Sequence, residues 1–137
     1  MLGPIDHVGY LARDLEATVA EFSALFGLPL ARRLELPEFS LLAAFLGEGQ
    51  GSIEVFTFTD PELLDARLGG ARVLLEHVAH EVADIDALAA SMRGRGVKFA
   101  GPDRRVELSE PLQLGGVRHL WTIPETCGGQ TIQLLQR

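Results

Sequence analysis

The chain has one cysteine, few basic residues and no long apolar run, and each shortage excludes a class of protein. Because Cys127 is the sole cysteine among 137 residues, an intrachain disulfide and a zinc-finger site are both impossible. The 12 basic residues are outnumbered by 19 acidic ones, for a net charge of −7, which argues against a nucleic-acid partner. No apolar stretch approaches the length of a transmembrane helix, so no membrane partner is expected.

The lone cysteine favours a reduced compartment, and the start of the chain lacks the basic and apolar regions of a signal peptide. We therefore expect a cytoplasmic protein. Hydrophobic residues make up 47% of the chain and charged residues 23%, which is typical of a globular fold. The length predicts a single domain over 1–137.

The most informative feature is an internal repeat. The segment that begins at Ile5 with Ile-Asp-His-Val-Gly resembles the segment that begins at Leu75 with Leu-Glu-His-Val-Ala, and their histidines lie 70 positions apart. A second pair of segments, Ser-Ile-Glu-Val-Phe at 52–56 and Thr-Ile-Gln-Leu-Leu at 131–135, lies 79 positions apart. The second half therefore has a loop about nine residues longer than the first.

Each half is predicted to be β-α-β-β-β from its periodicity and its turn residues. Asp14 and Asp84 are predicted helix N-caps, and Gly27 and Gly94 are predicted helix ends. The predicted strands are 7–12, 30–36, 40–47 and 51–58 in the first half, and 77–82, 97–100, 116–123 and 129–136 in the second.

One half alone has too few strands to bury its sheet face, so the two halves are expected to fold together. We predict an α+β fold in which two βαβββ modules form a curved eight-stranded mixed sheet around a cleft, with the helices outside. Module one spans about 1–59 and module two about 74–137. The linker, about 60–73, contains a short helix that begins at Asp60-Pro61 and ends at Gly69-Gly70.

Four polar residues stand at repeat-related positions in these apolar strands. They are His7, Glu54, His77 and Gln133, and each must find a partner if its strand is buried. If the halves pack with pseudo-twofold symmetry, the four side chains converge. The alternative for Glu54 is an outward-facing residue on an edge strand, and for Gln133 an exposed residue near the C-terminus.

Two imidazoles, one carboxylate and one amide oxygen suit a single divalent cation such as Co, Ni, Zn, Mn or Fe. An octahedral ion would keep two positions for water or substrate. The site would carry a net charge of +1, which polarises a carbonyl group.

Other candidate residues rank lower. His80 has the wrong strand parity for a ligand, and Glu81 is a candidate second acid or base that is better explained as packed or solvated. His119 shares a face with Trp121, and both are candidates for lining a pocket. Cys127, in a glycine-rich turn, is expected to be inert.

These segments together resemble the vicinal oxygen chelate (glyoxalase/bleomycin resistance/dioxygenase) superfamily over nearly the whole chain. The closing stretch from Pro124, Pro-Glu-Thr-Cys-Gly-Gly-Gln-Thr-Ile-Gln, is most similar to its methylmalonyl-CoA epimerase branch. The resemblance implies that His7, Glu54, His77 and Gln133 are the metal ligands and that the chain forms a homodimer. In that branch the last strand usually supplies the glutamate and the mid-chain strand the glutamine, so the two are exchanged here.

The resemblance implies an isomerase or lyase of the epimerase or glyoxalase type, which transfers a proton next to a metal-bound carbonyl of a small-molecule substrate. Among the predicted ligands, we expect Glu54 to act also as the catalytic base. Two alternatives remain. Some relatives bind drugs without a metal, although they usually lack the histidines. An Fe(II)-dependent oxygenase would also use two histidines and one carboxylate.

Overall fold

A computed structural model describes all 137 residues as three helices and a mixed nine-stranded sheet. The strands are β1 Ile5–Ala12, β2 Leu30–Leu36, β3 Leu41–Leu46, β4 Ser52–Phe58, β5 Val73–Glu81, β6 Phe99–Ala100, β7 Leu112–Leu114, β8 Val117–Thr122 and β9 Thr131–Gln136. The helices are α1 Leu15–Phe26, α2 Pro61–Leu68 and α3 Ile85–Arg93, with short 3-10 helices at Pro37–Phe39 and Pro124–Thr126. The predicted α+β fold class is confirmed.

The chain divides into two compact units, one of residues 7–76 and one of residues 1–6 with 77–137. In the 7–76 unit the strand order is β2-β3-β4-β1, and β1 and β4 run parallel. In the other unit the order is β5-β9-β8-β6, with β7 paired to β8, and β5 and β9 run parallel. Equivalent strands therefore pair in the same order in both units, as the sequence repeat predicts.

Two aspartates begin the equivalent helices, as predicted. Asp14 Oδ1 accepts a hydrogen bond of 3.1 Å from the Ala17 amide, and Asp84 Oδ1 accepts one of 2.9 Å from the Ala87 amide. These bonds satisfy amides that have no partner within the helix. Gly27 ends α1 in the left-handed conformation, with φ of 65°.

Each long helix packs on one face of its own unit's strands. Leu15 and Val19 of α1 lie in a cluster with Ala44, Leu46 and Val55. Equivalent contacts in the second unit join Ile85 and Ala89 of α3 to Phe99, Leu120 and Leu134. Because side chains alternate along a strand, the neighbours of Val55 and Leu134, which are Glu54 and Gln133, lie on the face away from the helices.

The second half differs from the prediction in three places. The strand predicted over 97–100 is only Phe99–Ala100, and β7 at Leu112–Leu114 was not predicted, so the sheet has nine strands and not eight. β5 begins at Val73, inside the segment assigned to the linker, whereas the predicted linker helix is present as α2. No helix in the structure is both long and apolar enough to cross a lipid bilayer.

Candidate metal centre

In the 7–76 unit, His7 and Glu54 lie on the two parallel strands β1 and β4. The register pairs His7 with Ser52 and Gly9 with Glu54, so the two side chains share one face of the sheet. Both are buried, with exposed fractions of 4% and 9%, which excludes an outward-facing Glu54. His7 Nε2 lies 3.9 Å from Glu54 Oε1, longer than a hydrogen bond.

Aromatic packing orients the His7 imidazole. The ring of Phe45 meets it edge-on, with the ring centroids 5.4 Å apart and the planes at 82°. The guanidinium carbon of Arg32 lies 3.8 Å from the centroid of the same phenylalanine ring, in a cation–π contact. Phe45 pairs directly with Glu54 across β3 and β4. The same ring therefore flanks both side chains on this face.

The second unit repeats this arrangement with a glutamine in place of the glutamate. β5 and β9 pair His77 with Thr131 and Ala79 with Gln133, which is the register of His7 and Glu54 in the first unit. His77 and Gln133 are 4% and 3% exposed, so the alternative of a solvent-exposed Gln133 is wrong.

The two ends of the Gln133 amide are in different environments. Nε2 donates a hydrogen bond to Nδ1 of His119 over 3.1 Å. Oε1 is fully buried and has no hydrogen-bond partner in the protein. A buried acceptor without a partner is costly, and a bound cation would satisfy it.

Three of the four predicted ligands are brought together. The ligand atoms of His7, Glu54 and His77 all lie within 4.8 Å of one another, and all three residues are buried. Two imidazole nitrogens and a carboxylate oxygen are a set that binds borderline divalent cations. The donor chemistry and the partnerless Gln133 oxygen therefore both fit a resident divalent metal.

The other titratable residues considered lie elsewhere. His80 Nδ1 donates to the carbonyl oxygen of Gly3 over 2.7 Å, so this histidine fixes the start of the chain. Glu81 accepts a 2.9 Å hydrogen bond from Arg137 at the surface, a contact that suits a solvated residue better than an acid or base. Cys127 is a free thiol that follows the second 3-10 helix.

His119 makes two side-chain contacts, one of which the sequence did not predict. Its ring stacks on Trp121, with centroids 5.5 Å apart and planes at 16°, which agrees with the predicted common face. The hydrogen bond to Gln133 was not predicted. It depends on the register of β8 and β9, in which Trp121 lies opposite Gln133.

A family model described as the glyoxalase/bleomycin resistance protein/dioxygenase superfamily matches residues 6–111. The chain belongs to this superfamily. The match covers the first repeat and the first part of the second, which is more than half of the chain, so the family predicted from the sequence motifs is confirmed.

Similarity to curated and solved proteins narrows the position within the superfamily. Human mitochondrial methylmalonyl-CoA epimerase is 24% identical over 143 residues, covering 98% of this chain and 74% of the human protein. A variant of Streptomyces coelicolor methylmalonyl-CoA epimerase, in complex with 2-nitronate-propionyl-CoA, is 26% identical with a TM-score of 0.82, covering 99% and 98% of the two chains. The chain is thus a homologue of methylmalonyl-CoA epimerases.

The Mycobacterium tuberculosis methylmalonyl-CoA epimerase has the same fold, with a TM-score of 0.82 over 98% of this chain and 88% of the other. Its identity is 19%, so this likeness concerns the fold alone.

Proposed function

We propose that this chain is a divalent-metal-dependent epimerase that moves a proton at the carbon next to the carbonyl of a coenzyme A thioester. The observation that carries the proposal is the buried group formed by His7, Glu54 and His77, whose ligand atoms lie within 4.8 Å of one another. Gln133, through its partnerless Oε1, is proposed as the fourth ligand.

His7, Glu54, His77 and Gln133 would hold the divalent cation, which would supply a Lewis acid for the negative charge that develops on a thioester oxygen. The two histidines and Gln133 would bind the cation without cancelling its charge, and the Glu54 carboxylate would cancel one unit of that charge. All four side chains are buried, and electrostatic interactions are stronger in a buried site than at the surface.

Glu54 is the proposed catalytic base. Its carboxylate accepts the proton from the α-carbon, while the electron pair of the C–H bond moves toward the carbonyl, and returning the proton regenerates both groups. Exchange of the α-proton with solvent needs only this one group. Inversion needs a second proton donor on the opposite face of the substrate, so exchange and inversion are separate measurements.

The relatives support the proposed substrate class. One solved methylmalonyl-CoA epimerase, 26% identical with a TM-score of 0.84, is described in complex with methylmalonyl-CoA and NH4+. A glyoxalase-type lyase acting on a glutathione hemithioacetal would use the same proton chemistry, and it is the rival outcome of the test. Relative to the epimerase pattern, the glutamate and the glutamine have exchanged strands in this chain. The set of proposed ligands is the same, but the proposed base lies on β4 and not on the last strand.

The experiment is deuterium exchange into methylmalonyl-CoA in D2O, followed by mass spectrometry, with inversion followed by chiral analysis. Protein freed of metal by a chelator is expected to be inactive. Adding back Co, Ni, Zn, Mn or Fe is expected to restore exchange. Exchange that persists undiminished in chelator would contradict the metal requirement, and turnover of a hemithioacetal alone would favour the lyase.

Matched glutamate variants test the base. Glu54→Gln keeps the side-chain size and removes the carboxylate, so exchange is expected to fall by about 100-fold or more, as for loss of a general base. Glu81→Gln removes a carboxylate that pairs with Arg137 at the surface, and it is expected to leave exchange unchanged. Equal activity of the two variants would exclude Glu54 as the base.

Two further expectations stay predictions. The homodimer is implied by family resemblance and is tested by light scattering of the purified protein. The cytoplasmic location is tested by fractionation of cells that express the chain.

A further inference from the structure

We propose that His119 is a positioning residue that holds the amide of Gln133 with its oxygen directed to the metal. The inference rests on the proposed function, because it concerns how one proposed ligand is oriented. Its starting point is the 3.1 Å contact between Gln133 Nε2 and His119 Nδ1. Both residues belong to the 77–137 part of one compact unit.

The chemistry of this contact allows only one orientation of a liganding glutamine. The amide nitrogen can only donate, so Nδ1 of His119 accepts and carries no proton. In a neutral ring the proton is then on Nε2. If the amide turned over, its NH2 group would face the cation, where it offers no lone pair. When Nδ1 of His119 is unprotonated, it accepts from Nε2 of Gln133, and this leaves the amide oxygen of Gln133 to face the metal.

Comparison of the two repeats supports a dedicated role for the histidine. Phe45 lies opposite Glu54 in the first repeat, and Trp121 lies opposite Gln133 in the second. Two residues earlier stand Ala43 and His119 respectively. A carboxylate has two equivalent oxygens and needs no partner to choose between them. The histidine thus occurs in the half that carries the amide, and an alanine in the half that carries the carboxylate.

Packing holds the imidazole in place. Its ring stacks on Trp121 at 5.5 Å, with nearly parallel planes. The guanidinium carbon of Arg104 lies 5.8 Å from the ring of the same tryptophan. A side chain locked by a neighbouring ring presents its acceptor atom in one position, which is what a residue that orients a ligand requires.

Metal affinity of two histidine variants tests the role directly. His119→Phe keeps an aromatic ring on Trp121 but removes the acceptor, and it is expected to weaken Co binding by about 10- to 100-fold, the range for loss of a group that supports a metal ligand. His119→Asn loses the ring, but it keeps an acceptor oxygen near the position of Nδ1, so it is expected to recover most of the affinity. Affinity is read from the visible absorption of bound Co, with circular dichroism as the test of folding.

A double-mutant cycle separates orientation from general damage to the site. In the Gln133→Glu background the ligand has two equivalent oxygens, so adding His119→Phe is expected to leave Co affinity unchanged. A further loss as large as in the wild-type background would overturn the inference, because it would mean that His119 supports the site in some other way.

A measurement without metal completes the test. Nitrogen-15 NMR of the metal-free protein is expected to show an unprotonated Nδ1 of His119 that accepts a hydrogen bond from the Gln133 side-chain amide. A proton on Nδ1 would overturn the inference whatever the metal data show. Wild-type protein that binds no Co at all would instead refute the proposed function, whereas wild-type binding matched by His119→Phe would refute the role of His119 alone.

Discussion

Metal binding should raise the thermal stability of the protein by an amount that can be estimated in advance. A ligand that binds only the folded state at 100 times its dissociation constant contributes about 2.7 kcal/mol. The entropy of unfolding is about 2.1 cal/mol/K per residue, or about 0.29 kcal/mol/K for 137 residues. The ratio of these two quantities gives an increase in Tm of about 9 °C.

Two histidines of β5 provide a variant that removes a proposed ligand and a control that does not. His77→Ala removes a proposed ligand, so Co is expected to raise its Tm far less than 9 °C under the same conditions. His80→Ala removes the hydrogen bond to the Gly3 carbonyl, which lowers the starting Tm. It leaves the site face of β5 unchanged, and the increase caused by Co should be retained.

The assay is differential scanning calorimetry with and without Co, after treatment with a chelator. The difference between the two midpoints is compared among wild type, His77→Ala and His80→Ala. Equal increases in both variants would refute the assignment of His77 as a ligand. No increase in the wild type at saturating Co would refute the metal site.

Three further predictions concern the scaffold and are measured by urea unfolding. Asp14→Ala and Asp84→Ala should each cost about 1 kcal/mol, because each removes an N-cap bond of nearly the same geometry, and a clear inequality would contradict the equivalence of the repeats. Leu134→Ala should cost about 2–5 kcal/mol, since this fully buried side chain packs in the core beneath α3, and a cost below about 1 kcal/mol would contradict that packing. Gly27→Ala should cost about 1 kcal/mol from its positive φ alone, because an added Cβ meets no atom within 4 Å, and a neutral result would contradict the left-handed conformation.

Local signals in the sequence were sufficient to predict most of the fold. The caps Asp14 and Asp84 and the stop at Gly27 act within a few residues, so their effects can be predicted without knowing the tertiary structure. β7 was missed because it has only three residues, too few for an alternation to be visible. It follows a segment without periodic pattern, in which Arg104 adopts a positive φ of 59°.

The sequence predicted those features of the candidate site that depend only on which face of a strand each side chain occupies. Polar residues in apolar strands indicated that His7, Glu54, His77 and Gln133 share equivalent positions, and all four are buried. The contact between Gln133 and His119 was not predictable. It depends on how β8 pairs with β9. That register could not be read from the sequence, because an irregular segment precedes these strands in the longer second half.

A crystal structure of the protein with Co, measured at the absorption edge of the metal, would show directly whether the four proposed ligands bind a cation. We expect one anomalous peak within ligand distance, about 2.0–2.2 Å, of a nitrogen of His7, a nitrogen of His77 and an oxygen of Glu54, with Gln133 Oε1 as the fourth protein ligand. A peak that lies elsewhere, or a fully occupied site that omits the two histidines, would contradict this expectation.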